Sequence, residues 1–121
     1  MSNVALGRAG EDAACAFLEG KGYKIIERNF RCQLGEIDLI AQDKNVLVFI
    51  EVKTRYSTQC GQPFESVNYH KQQRLIRLAQ VYLKFTRGTV NVLSRFDVVS
   101  IVIKAGQIHI DHIINAFSQQ L

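Results

Sequence analysis

The chain has 121 residues, 47% of them hydrophobic and 21% charged, and a net charge of +4. That balance reads as one globular domain over residues 1–121, able to bury about two thirds of its unfolded surface without staples. No apolar run approaches the ~18–20 residues of a membrane span, and the N-terminus has no charged segment leading into an apolar stretch, so a cytoplasmic protein with no membrane partner is expected. Cys15, Cys32 and Cys60 form no Cys-x-x-Cys pair, and His70, His109 and His112 lack partners at metal-site spacing. Reduced structural thiols are expected, not a zinc or redox site.

Ser2 or Asn3 can cap a first helix, with Ala5, Ala9, Ala13, Ala16 and Phe17 at helical spacing and Gly20-Lys21-Gly22 as its stop. Residues 23–30 read as a first strand. Two more follow over 36–41 and 46–55, joined by the polar stretch Gln42-Asp43-Lys44-Asn45 as a hairpin. A loop over 56–65 contains Gly61 and Pro63. Ser66 or Asn68 then caps a second helix running to about Phe85, with Leu75, Leu78, Ala79, Tyr82 and Leu83 on its apolar face and Lys71, Arg74 and Arg77 on another arc. Residues 95–103 are almost continuously apolar after Asp97, which predicts a strand buried on both faces. A last strand spans 108–113, where His109 and His112 must point to opposite faces, and a tail carries Asn115-Ala116-Phe117. The order α-β-β-β-α-β-β predicts an α/β fold with one mixed sheet covered by helices.

The chemistry concentrates in Gly35-Glu36-Ile37-Asp38-Leu39-Ile40-Ala41 and Val48-Phe49-Ile50-Glu51-Val52-Lys53. A two- or four-residue loop centred on Asp43 and Lys44 puts Ala41 opposite Val46, Asp38 opposite Phe49 and Glu36 opposite Glu51. Glu36, Asp38, Glu51 and Lys53 then share one face, with Asp38 and Glu51 as diagonal neighbours roughly 7–8 Å apart at their β-carbons. A loop of odd length would split the group. Three carboxylates on one face repel, and a hard divalent cation such as Mg2+ or Mn2+ relieves that conflict. Lys53 beside it can orient water or neutralise developing charge, the combination that phosphodiester hydrolysis requires.

Charge is distributed unevenly: residues 1–51 carry −2, residues 52–95 carry +7 and residues 96–121 carry −1. The basic middle segment suits a phosphate backbone, with Arg55, Lys71 and Arg74 as expected nucleic-acid contacts.

Several segments together resemble the YraN-type family of small bacterial proteins: Gly7-Arg8 to Gly10-Glu11-Asp12, the Gly35–Ala41 motif, and Val48 to Arg55. Gly61, Lys71-x-x-Arg74, Ala79, Tyr82-Leu83 and Asn115-Ala116-Phe117 fit the same pattern. That family is similar in turn to the PD-(D/E)XK nuclease superfamily and its archaeal Holliday-junction resolvases. The resemblance implies a restriction-endonuclease-like fold, a central mixed β-sheet flanked by α-helices. It also implies Asp38 and Glu51 as metal ligands, Lys53 as catalytic lysine, Glu11 as a further acidic residue of the site, and a homodimer. Ile37 stands where the superfamily's name has proline. Glu36 is expected as a supporting group and not as a ligand.

The expected activity is a metal-dependent DNA endonuclease, with branched or damaged DNA among its substrates. The alternative is a non-catalytic nucleic-acid-binding module on the same scaffold, for which salt-sensitive binding indifferent to metal is the signature.

Overall fold

The computed structural model describes residues 2–56 and 67–118. Its elements are α1 (Asn3–Gly20), β1 (Lys24–Cys32), β2 (Gly35–Asp43), β3 (Val46–Tyr56), α2 (Tyr69–Arg87), β4 (Ser94–Lys104) and β5 (Gln107–Phe117), the order the sequence predicts. The five strands lie side by side in chain order. Three neighbouring pairs are antiparallel, and β3 runs parallel to β4, so the sheet is mixed. A parallel pair requires a crossover, and α2 supplies it. Among the described residues, no helix is long and apolar enough to cross a membrane.

Each face of the sheet buries its own cluster. Leu75, Leu78, Tyr82 and Leu83 of α2 pack on Ile37, Ile40, Leu47, Phe49, Phe96 and Val98. Ala14, Cys15 and Leu18 of α1 pack on Leu39, Ala41, Val48, Ile50, Val99 and Ile101. The chain is therefore α/β, with a mixed sheet held between helices. Residues 96–102 are buried without a break, as a strand covered on both faces must be.

The buried stripe of α1 differs from the expected one. Ala5, Ala9 and Ala16 are exposed, while Gly10, Ala14, Cys15 and Leu18 are buried. Alanine spacing follows helix propensity as much as burial, whereas Gly10, Ala14 and Leu18 mark the contact line four residues at a time. Gly10 is required there, because a Cβ would come within 1.8 Å of Thr54 Oγ1 and 2.8 Å of Thr54 Cβ on β3. Ser2 caps α1 through its hydroxyl, which accepts from Ala5 N at 3.1 Å. Asn68 caps α2 in the same way, accepting from Lys71 N at 2.9 Å. Ser66 and all of the 56–65 loop except Tyr56 fall outside the described residues, as does Cys60. At the far end, Asn115-Ala116-Phe117 continues β5, with Phe117 stacked on Phe96 at 4.9 Å between ring centroids.

Two departures from regular pairing build the functional end of the sheet. First, the β2–β3 hairpin turns over Lys44-Asn45, with Asp43 opposite Val46 and Leu39 opposite Ile50. Lys44 adopts a left-handed φ of 56°, which closes a two-residue turn one position further along than expected. The register moves by two, so Asp38 comes level with Glu51 and not with Phe49, and Glu36 lies beyond Glu51. An even shift preserves the side of the sheet, so Asp38 and Glu51 stay together.

Second, the alternation of faces slips at Asp38. Ile37 belongs to the cluster under α2, yet Leu39, two residues on, belongs to the cluster under α1. The neighbouring strand slips at the position opposite: Arg28 pairs with Leu39 and Phe30 with Ile37, while Asn29 between them is left-handed at φ 56°. Asparagine tolerates that conformation better than most residues because its short polar side chain can bond locally. The four acidic and basic residues therefore do not share one flat face as the alternation predicts. Asp38 is aimed by a local irregularity, as bulges often aim side chains beside functional sites.

Candidate metal centre

β2–β3 pairing ends at Leu39 and Ile50, and beyond it the two strands splay. Asp38 bridges the gap by accepting a hydrogen bond from Val52 N at 2.8 Å through Oδ2. Around it converge Glu36 from the start of β2, Glu11 from α1 and Glu51 from β3. Carboxylate oxygens of Glu11, Glu36 and Asp38 lie within 4.8 Å of one another. Glu51 lies close enough to Asp38 for its charge to act on the Asp38 carboxyl. Burial pushes the Asp38 carboxyl up to about 8, the Glu51 charge pushes the same way, and the Val52 N–H opposes both.

Asn29 holds the outer part of the group. Its side-chain amide donates to both Glu11 oxygens at 3.1 Å and to Glu36 Oε1 at 3.2 Å. Burial raises Glu36, but hydrogen bonds from Arg31, Asn29 and Asp38 outweigh it and hold the carboxyl below its ordinary range. Arg28 pairs with Asp12 at 2.8 Å and lies 3.7 Å from Glu11.

Glu51 takes a different partner. Its side chain is only 6% exposed, and Lys71 Nζ of α2 contacts its Oε2 directly. The ammonium in contact with Glu51 is thus that of Lys71. Lys53 lies two residues further along β3 and lines a smaller cavity of about 210 Å³ with Thr54, Arg55 and Ser100.

Two clefts meet at Glu36. One, of about 350 Å³, runs between the splayed strands and α2, with Asp38, Glu51, Lys71 and Arg74 in its wall. The other, of about 550 Å³, lies along α1 and β1, with Arg8, Glu11, Arg28 and Arg31 in its wall. Gly35 keeps the first cleft tight: its φ is +138°, and a Cβ there would meet Arg74 Cδ at 3.4 Å.

The structure clusters the carboxylates of Glu11, Glu36 and Asp38, and places Glu51 outside that cluster but in the same cleft wall as Glu36 and Asp38. Lys71 and Arg74 line the cleft with Glu51, and Arg55 lies with Lys53 in a separate cavity. Asn29 is the residue that sequence reasoning missed, and no spacing rule marks a left-handed asparagine within a strand. Glu36 has a signal in the sequence, the crowding of acids on β2 and β3. His109 and His112 take opposite faces as predicted. His109 is exposed, whereas His112 Nε2 pairs with Asp97 Oδ2 at 2.7 Å on the α1 side of the sheet.

A family model described as uncharacterised protein family UPF0102 matches residues 10–101, a span that holds Glu11, Asn29, Glu36, Asp38, Glu51, Lys53, Lys71 and Arg74. Among curated relatives, a UPF0102 protein of Thermodesulfovibrio yellowstonii is 49% identical over 117 residues, 97% of this chain and 99% of its own. One from Syntrophomonas wolfei is 48% identical over 115 residues, 95% of this chain and 99% of its own. One from Caldanaerobacter subterraneus is 44% identical over 115 residues, 93% of each. With the match running through both helices and the first four strands, and near-complete coverage in each relative, the chain belongs to the uncharacterised protein family UPF0102.

Proposed function

We propose that the protein is a Mg2+- or Mn2+-dependent endonuclease that hydrolyses phosphodiester bonds in DNA, built as one domain. The observation that carries this reading is the convergence of Glu11, Glu36 and Asp38 oxygens within 4.8 Å, beside a cleft whose wall holds Glu36, Asp38 and Glu51 together with Lys71 and Arg74. The donors are all carboxylate oxygens, with no thiol or imidazole among them, and that chemistry fits a hard divalent cation. Asp38 and Glu51 are the proposed ligands, with Glu11 and Glu36 completing or supporting the shell. Bound there, such an ion supplies charge stabilisation at a phosphate and an acidified water.

The chain's own residues do the rest. Lys71 and Arg74 line the approach to the carboxylates and bind the phosphate backbone. Lys53, two residues beyond Glu51 on β3, offers its ammonium to charge that develops on the phosphate oxygens. Protons and an ion would compete for the Asp38 carboxylate, as they do at any carboxylate ligand. The resemblance to resolvase-like nucleases makes branched DNA the first substrate to test and a homodimer the first assembly.

The test is cleavage of duplex, flap and four-way-junction DNA with and without Mn2+, by wild type, Asp38→Ala and Lys53→Ala. Metal-dependent cutting that both variants lose supports the reading. Salt-sensitive DNA binding with no cutting, unaffected by metal or by Lys53→Ala, favours the non-catalytic binding module instead.

A further inference from the structure

We propose that Lys71 is a resident cation that competes with the divalent ion for Glu51, so that metal entry and release of Lys71 from Glu51 are one event. The inference rests on the metal reading of Asp38 and Glu51 but not on cleavage.

Glu51 is the most enclosed acid of the group, and a buried carboxylate requires a counter-charge. Asn29 serves Glu11 and Glu36, and Arg31 serves Glu36. Glu51, among the described residues, has Lys71 as its only cation. Its carboxylate lies outside the set of oxygens that cluster within 4.8 Å, although it shares the cleft wall with Glu36 and Asp38. One end of the four-acid group is thus neutralised from inside the protein, by an ammonium in direct contact with a proposed ligand.

That arrangement cannot persist with an ion on the same carboxylate. Two positive charges a few ångströms apart in an enclosed site repel strongly. Lys71 is the partner able to move: its side chain is 42% exposed, and a flexible four-carbon stem lets the ammonium swing out while α2 stays packed. Released, it remains in the wall of the cleft beside Arg74, where a substrate phosphate needs a cation. The metal-free site is therefore held in shape by its own lysine, and loading the ion delivers that lysine to the substrate side.

Calorimetric titration of Mn2+ at pH 8 into wild type, Lys71→Met, Lys71→Gln and Lys71→Arg tests this, with Asp38→Asn as the protein lacking a ligand. The expected result is binding about tenfold tighter in Lys71→Met and Lys71→Gln, within the usual range of coupling between sites, and near wild type in Lys71→Arg. Both neutral variants should also melt lower than wild type without metal and gain more in Tm when Mn2+ is added. Wild-type binding with equal or weaker binding in the folded neutral variants overturns the inference and leaves the metal reading standing. No Mn2+ binding by any of these proteins overturns both.

Discussion

Asp38 stands level with Glu51 where the β2–β3 hairpin splays, and Val52 N holds the Asp38 carboxyl at 2.8 Å. An ionised Asp38 would be desolvated there and would face the Glu51 charge. The pair therefore stores a conflict that folding tolerates and that ligand binding can relieve.

Burial of Asp38, reinforced by the Glu51 charge beside it, sets a pH dependence. The Asp38 carboxyl is raised from 3.8 in the unfolded chain to about 8 in the folded protein, so between those values the folded state holds a proton that the unfolded state has lost. Stability of the metal-free protein from this source is full below about pH 4 and declines as pH rises towards about 8. Asp38→Asn keeps the shape without the charge and should stabilise the metal-free protein at pH 8 by about 1–3 kcal/mol. Thermal melts in EDTA from pH 5 to 9 check this; an equally steep decline in Asp38→Asn would remove Asp38 as its cause.

The opposite sign applies to Asp97. Burial would raise its carboxyl, but hydrogen bonds from His112, Arg95 and Asn115 N hold it below its ordinary range. Its contribution is present above about pH 4 and is lost as pH falls further. The Asp97 side chain is fully buried, with Arg95 Nε at 3.0 Å and His112 Nε2 at 2.7 Å. Asp97→Ala leaves that arginine without its buried partner and should cost about 3–5 kcal/mol. Urea denaturation at pH 7 measures it, and a loss below about 1 kcal/mol would show that the network is replaceable.

Asn29 separates backbone from side-chain effects. Asn29→Gly permits the φ of 56° but removes the amide that holds Glu11 and Glu36. The variant should keep a Tm within a few degrees of wild type yet bind Mn2+ about 5–20-fold more weakly, the scale of an outer-shell partner. Asn29→Val, which cannot hold that φ without strain, should lose about 1–3 kcal/mol of stability as well. Equal metal affinity in wild type and Asn29→Gly would show that the amide does not position the acids.

The contact between α1 and β3 makes a further prediction. Gly10→Ala drives a methyl group into Thr54, whose Cβ as well as Oγ1 lies too close for rotation alone to relieve. A loss of about 1–3 kcal/mol is expected, and Thr54→Ala in the same chain should recover part of it. Strict additivity of the two substitutions in a double-mutant cycle would argue against direct contact.

The element order, the caps at Ser2 and Asn68, the apolar face of α2 and the double burial of β4 were all legible in the chain. Each depends on local periodicity or on a side chain bonding its own neighbouring backbone, and such signals survive without knowledge of the fold. The alanines of α1 misled because a small side chain promotes a helix whether or not it is buried. Gly10, which carries the contact, is silent until Thr54 lies opposite.

The site divides in the same way. Asp38, Glu51 and Glu11 could be named from acids at strand ends and from family resemblance, since an even shift of register keeps Asp38 and Glu51 together. The true register depended on whether the turn closed at Lys44-Asn45, a difference of one backbone conformation. The slip at Asn29 and Asp38, the admission of Glu36 beside Glu11, and the seating of Lys71 on Glu51 were decided only in three dimensions. Each joins residues from separate elements, and their distances follow from how α1 and α2 pack against the two faces of the sheet. The sequence by itself determined which charges the protein owns and which strands carry them; the packing of the helices decided which of those charges meet.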